Sequence, residues 1–333
     1  MEDRVALDIS TMTLAPIADL DIEPIKQLLE FGKRDIQDHL YLLRGSLWEL
    51  YDCKNTMHLF FVDDAGQKEP RRLGMGQLVS VGGIIIHGDQ ARELEGYVDW
   101  VLREFGFPKG ETFKWSPAKG SWMYDGLKDK VRQAFFCQIL DATAATGTKV
   151  QVTIEDKSRR VANSASETHE QDVITLALER FQSFLGREKS SGIVIAAQPG
   201  GGPKDEKRFL AECLQLRDAG SDYVQFDRLA TNVLTSPFVN ARLLQVADVV
   251  VSCTTALVAG NDKHSLPVFD RIKPLFLAED GRIGGVGLKL HPLPCFGNLY
   301  HWLVGDEYLK RGSSGYPLPM NNWPYASDAM VAT

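Results

Sequence analysis

The sequence predicts an α/β domain with a mixed sheet, and three observations carry that reading. Two apolar runs, His58 to Gly66 and Leu78 to His87, are separated by a polar loop holding Lys68, Arg71 and Arg72, the pattern of an antiparallel strand pair. Downstream, segments with apolar residues at helical spacing alternate with strand-like runs, which places helices around the strands. With 333 residues, 44% of them hydrophobic, the chain can bury a large core.

The elements follow in order. Residues 1–56 are expected to form an N-terminal helical extension: Ile25, Leu28, Leu29, Ile36, Leu40, Leu43 and Trp48 recur at roughly helical spacing, interrupted by Gly32 and Gly45. The first strand ends in Asp63-Asp64 before the turn residue Gly66. Asp89 is expected to cap a helix carrying Leu94, Val98, Val101, Leu102 and Phe105, which stops before Gly106 and Pro108. Gly110 to Trp115 reads as a short strand or an ordered loop. A long helix is expected from Tyr124 to Thr146, with Leu127, Val131, Phe135, Ile139 and Leu140 on one face. Then come a strand (Lys149 to Ile154), a helix (Glu167 to Arg187), a strand (Gly192 to Ala197), a helix (Asp205 to Ala219), a strand (Tyr223 to Leu229) and a helix (Pro237 to Leu257). This main domain spans residues 57–260. Residues 261–333, with seven of the fifteen prolines, read as a loop-rich C-terminal tail packing on the core.

Composition narrows the function. The most apolar stretch, Leu243 to Val258, is interrupted by Gln245 and Asp248 and falls short of the ~20 residues of a membrane span. Acidic residues near the start and no basic, apolar leader give the expectation of a cytoplasmic protein without membrane partners. Five isolated cysteines (Cys53, Cys137, Cys213, Cys253, Cys295) form no Cys-x-x-Cys and are expected to be free thiols. A net charge of −7 disfavours broad, sequence-blind coating of nucleic acid. It leaves room for a carboxylate cluster that meets an anionic substrate through divalent metal.

Several residues are candidates for that chemistry. Asp63 and Asp64 end a buried strand, so alternation sends them to opposite faces and one of them can enter a given site; the competing reading has both capping a solvent-facing turn. Glu111 and Lys114 could share a metal and a phosphate, or form a surface ion pair. In the apolar helix Ala241 to Ser252, Gln245, Asp248 and Ser252 share one face. A carboxylate there needs metal or a partner such as Arg242 or a backbone N–H. Pro199-Gly-Gly-Gly-Pro203 joins a strand to a helix but lacks phosphate-loop spacing, and reads as a flexible loop. The seven histidines form no pair at ligand spacing, and no Gly-x-Ser-x-Gly elbow occurs.

Taken together, Phe61-Val-Asp-Asp-Ala-Gly66, Val81-Gly-Gly-Ile-Ile-Ile86, Glu111-Thr-Phe-Lys-Trp115, Val152-Thr-Ile-Glu-Asp-Lys157 and Leu243-Leu-Gln-Val-Ala-Asp248 resemble the bacterial and phage domain-of-unknown-function family 3800 over residues 57–260. The resemblance implies a ribonuclease H-like mixed sheet flanked by helices. It also implies acids from the first strand, a middle element and a late helix around Mg2+ or Mn2+. By position, Asp63, Glu111 and Asp248 match the metal-holding acids, Lys114 the lysine and Gln245 the glutamine of the closing motif. Two departures stand out. Asp64-Ala65 replaces Glu-Ser, and Ala196-Ala-Gln198 stands where many members carry an acid at a strand end. Asp64, Glu155 and Asp156 are the candidates to substitute for it.

The expected function is therefore metal-dependent phosphodiester hydrolysis on nucleic acid, DNA or RNA. Two alternatives stand beside it: a catalytically inactive ribonuclease H-like binding or assembly module, and a hydrolase of small phosphorylated molecules. A homo-oligomer or protein partner could be engaged through the N-terminal helices or the C-terminal tail.

Overall fold

The computed structural model describes residues 56–159 and 168–327. The chain divides after Lys54, and the described residues all belong to the second unit, Asn55–Thr333. The helices expected over Ile25 to Tyr51 lie outside the described residues.

Strand β1 (Met57–Gln67) pairs antiparallel with β2 (Leu78–His87), and β2 antiparallel with β3 (Lys149–Asp156). On the other side of β1, β4 (Ser191–Ala197) and then β5 (Leu234–Ser236) add in parallel. At the far edge β6 (Leu288–His291) joins β3 in parallel, giving the mixed order β5-β4-β1-β2-β3-β6. A separate hairpin is formed by β7 (Tyr308–Arg311) and β8 (Ser314–Pro317).

The helices are α1 (Gly88–Glu104), α2 (Trp122–Gly126), α3 (Asp129–Ala145), α4 (His169–Arg187), α5 (Pro203–Ala219), α6 (Arg242–Val258), α7 (Asp262–Ile272) and α8 (Leu293–Val304). Alternation along the strands splits the core in two. Phe61, Ile84, Ile86, Val152, Leu288 and Leu290 face one way and pack with α1, α3, α6, α7 and α8. Phe60, Val62, Val81, Ile85 and Val194 face the other way, onto α4 and α5. No helix among the described residues is long and apolar enough to cross a membrane.

Several expectations need correction. Asp89 is not the cap of α1: His87 is, its Nδ1 accepting the Asp89 N–H at 3.4 Å, while the Asp89 carboxylate lies in the first turn. The long helix expected from Tyr124 is broken between α2 and α3. Arg132 takes up the carbonyls of Met123, Tyr124 and Leu127 at the end of α2, which offsets the lost helical bonds. Val131, expected on the apolar face, is exposed. Tyr223 to Leu229 contributes only a bridge from Leu229 to Gly192, and the edge strand forms later, at Leu234–Ser236. The last predicted helix starts at Arg242, after a 3-10 turn at Phe238–Asn240. Residues read as a loop-rich tail hold α7, α8 and the strand that completes the sheet.

Candidate active site at the end of the β1–β4 pairing

Asp63 follows the face of Phe61 and points toward α6, where it is 9% exposed, whereas Asp64 follows Val62 to the α4 side and reaches solvent. The Asp64 N–H donates to Asp63 Oδ1 at 2.9 Å and fixes the carboxylate. The strand does not end at Asp63-Asp64 as expected but runs on to Gln67 against β2, and Asp63 lies just past the point where pairing with β4 stops, at Val62 and Ala196.

Helix α6 packs directly on β1 and β2. Its approach depends on Gly83, which pairs with Val62 and has φ 155. A Cβ there would collide with the carbonyl oxygen of Phe61 and come within 2.9 Å of the Ala247 methyl. That close seat carries the next residue, Asp248, toward Asp63.

One face of α6 also orders the segment from Glu111 to Trp115. Arg242 Nη1 donates to the Glu111 carbonyl at 3.0 Å, Gln245 Oε1 accepts the Phe113 N–H at 3.3 Å, and Asp248 Oδ2 accepts the Trp115 N–H at 2.7 Å. Every third helical residue thus meets every second residue of a loop. Fully buried Gln245 also donates to the Phe238 carbonyl at 3.2 Å, so it orients the loop and does not touch the carboxylates. Ser252 Oγ reaches Asp248 Oδ1 at 3.5 Å, and Arg242 pairs with Asp99, not Asp248.

The loop holds Lys114 with its Nζ 4.2 Å from the centroid of the Phe238 ring. Its charge acts on Asp63, Asp64 and Asp248 alike. The lysine does not neutralise the cluster. Burial, then the charges of Asp248 and Asp64, push Asp63 up to about 8. Burial also raises Asp248, opposed by the Trp115 N–H and by Lys114. Desolvation raises Asp64 too, with Lys114 opposing.

Of the five residues singled out by sequence, Asp63, Asp248 and Lys114 therefore meet electrostatically, and Gln245 braces the loop. Glu111 enters through its backbone carbonyl; the charges that act most strongly on Asp63 are those of Asp248, Asp64 and Lys114. Gln198 turns away to donate to Glu206 of α5 at 2.8 Å. Asp156 is saturated by Gly76 N–H, Ser158 N–H and Ser158 Oγ. Asp64 is the acid that adjoins the pair. On the α4 side, Asp63 and Asp64 also border a cavity of about 560 Å³ between β1, β2, α4 and α5, a volume suited to a small ligand or one unit of a polymer.

A second group was not read from sequence. Glu155 at the end of β3 and His169 and Asp172 in the first turn of α4 offer ligand atoms that all lie within 4.8 Å of one another, and the group could hold a metal ion. Glu155 Oε1 is 2.6 Å from His169 Nδ1. A capping box between Thr168 and Gln171 rigidifies that turn. The legible part was the three-residue spacing of His169 and Asp172 on a helix; Glu155 reaches them only through the packing of α4 on β3.

The cysteines among the described residues, Cys137, Cys213, Cys253 and Cys295, are free. Burial pushes the Cys213 thiol up to about 12 and raises that of Cys253, away from thiolate chemistry. Comparison of the chain with models of protein families, with curated proteins and with solved structures finds no match.

Proposed function

We propose that this protein is a divalent-metal-dependent phosphodiesterase acting on nucleic acid, with a ribonuclease H-like domain. The observation that carries the reading is the crowding of Asp63 and Asp248, with Asp64 adjoining, around one lysine, which leaves Asp63 raised to about 8. Two buried carboxylates, both raised by desolvation and one of them further by the charge of the other, form an all-oxygen donor set suited to a hard cation, whose charge would relieve them. The sheet supports the fold reading: three sequential antiparallel strands are followed by two parallel ones added beside the first.

Asp63 and Asp248 would hold Mg2+ or Mn2+. When bound, such an ion lowers the pKa of a coordinated water and stabilises charge developing on phosphorus-bound oxygens. The remaining work falls to the chain. Lys114, held against Phe238, binds a phosphate oxygen. Gln245 and the Trp115 N–H keep the 111–115 segment registered against Asp248, so the lysine and the carboxylate stay in one geometry. Asp64, on the other face of the strand, borders the cavity between β1, β2, α4 and α5.

Nuclease activity on single- and double-stranded DNA and RNA, with magnesium or manganese, tests the reading against Asp63→Asn and Asp248→Asn. The amide at position 248 retains an oxygen for the Trp115 N–H, so folding is preserved while charge is lost. Activity should fall by about a hundredfold or more in each; wild-type activity in both variants defeats the assignment. The engagement of Gln198 with Glu206 favours one other reading, an inactive binding module. Manganese calorimetry separates the two, since binding lost in Asp63→Asn together with turnover in the wild type excludes the inactive form.

A further inference from the structure

The far edge of the sheet, on the α4 side, has the opposite charge. A cavity of about 240 Å³ lies where α4, β6, β7 and the turn before β6 meet, and its walls include Arg180, Arg282, Lys289 and Lys310. The sequence places these cations in three separate segments. Strand alternation brings Lys289 in: Leu288 and Leu290 enter the core on the α6 side, so Lys289 faces α4.

The acids nearby are engaged. Glu179 accepts from Ser221 Oγ at 2.6 Å and lies 3.6 Å from Arg180, and Glu279, which lines the cavity, is 4.0 Å from Arg187. Asp306 accepts the N–H groups of Ile283 at 3.0 Å and Gly284 at 2.7 Å, and Asp280 is 3.6 Å from Lys310. Two cations are only partly matched: Arg282 lies 5.6 Å from the Tyr308 ring centroid and its charge acts on Asp306, while Glu179 opposes the lowering of Lys289. Arg282 is 6% exposed, yet its Nε makes no hydrogen bond and its Nη1 reaches the Gly284 carbonyl only at 3.5 Å. Lys289 makes no hydrogen bond or ion pair among the described residues; burial and then Arg180 push its pKa down to about 8. A buried guanidinium with an unused donor, beside a half-buried lysine whose opposing acid Glu179 is shared with Ser221 and Arg180, leaves positive charge that an anion would complete.

We propose that this cavity binds a phosphate group, carried by a small phosphorylated molecule or by a nucleic acid backbone. Guanidinium donors match tetrahedral oxyanions, and the ammonium of Lys289 supplies the point charge. The site is distinct from the end of the β1–β4 pairing. Thr168 lines the cavity at the acidic end and Arg180 the basic one, and the twelve-residue step from one to the other along α4 rises about 18 Å.

Titration of the full chain with inorganic phosphate, followed by calorimetry and by thermal unfolding, tests this independently of nuclease activity. Saturable binding is expected, weakened about tenfold in Lys289→Gln, weakened less in the exposed variant Lys310→Gln, and unchanged in Asp63→Asn. Displacement of phosphate by a 5′-mononucleotide but not by an oligonucleotide without terminal phosphates assigns a small-molecule source; displacement by both assigns the backbone. Absence of saturable binding in the folded wild type, or equal binding in Lys289→Gln and Lys310→Gln, overturns the proposal. Loss of phosphate binding in Asp63→Asn also overturns it, by moving the ligand to the acidic end.

Discussion

The acidic end of the β1–β4 pairing and the basic cavity beside β6 are two answers to one problem. Both bury charge at the margin of the same sheet, and in both desolvation is the leading cause of a shifted pKa: upward for Asp63, downward for Lys289. The neighbours aggravate it in each case, Asp248 beside Asp63 and Arg180 beside Lys289. Burial penalises whichever form is charged, so the two sites call for ligands of opposite sign, a divalent cation at one and an oxyanion at the other. They differ in construction. The acidic end is braced by α6 through three sequential contacts to residues 111–115 and by the close seat at Gly83, whereas the basic cavity is assembled from side chains on α4, a turn, β6 and β7.

The largest effect expected is on that bracing. Gly83→Ala places a Cβ against the Phe61 carbonyl and Ala247, so urea unfolding should show a loss of about 3 kcal/mol or more, together with loss of manganese binding. Wild-type stability in Gly83→Ala removes the account of how α6 delivers Asp248.

Next comes the pH response of the acidic end. Asp63 has a folded pKa of about 8 against an ordinary 3.8, so between those values the folded state holds the extra proton. Metal-free stability from this group is therefore greatest at low pH and declines as pH rises toward 8, by at most about 1.4 kcal/mol per pH unit. Asp63→Asn should flatten the decline and leave the metal-free protein more stable at pH 8 than wild type, while manganese stabilises only the wild type. An unaltered pH slope in the variant shows that Asp63 ionises freely.

The smallest effect belongs to the basic cavity. Lys289 is lowered from 10.5 to about 8, so between those values the unfolded chain binds the extra proton and stability rises with pH. The groups that face it, Arg180, Glu179, Arg282, Glu279 and Lys310, set the size of the rise. Lys289→Met should remove the rise and lift the phosphate-free melting temperature at pH 7 by about 2 °C. A melting temperature that falls instead would mean that Lys289 has a stabilising partner, and the two ends would no longer be counterparts.

The acidic end was partly legible in the sequence because its components are local patterns. Period-two alternation put Asp63 and Asp64 on different faces, and the three-residue spacing of Gln245 and Asp248 put both on one side of a helix. Glu111 misled because the motif specifies a segment and not which atom of it is used, and α6 uses the carbonyl. The group of Glu155 with His169 and Asp172 escaped notice because the partners lie on different elements, although Glu155 faces α4 by ordinary alternation.

The sequence by itself determined the α/β class, most of the strands and helices, and the placement of carboxylates on a buried strand and on an apolar helix. These follow from periodicity, which is a property of neighbouring residues. Only the tertiary structure decided that the charge of Asp248 raises Asp63, that residues after Asn261 add β6 to the sheet, and that Arg180, Arg282, Lys289 and Lys310 share one cavity. Charge coupling and desolvation depend on through-space distance and on the protein packed around a group, and neither is encoded in spacing along the chain.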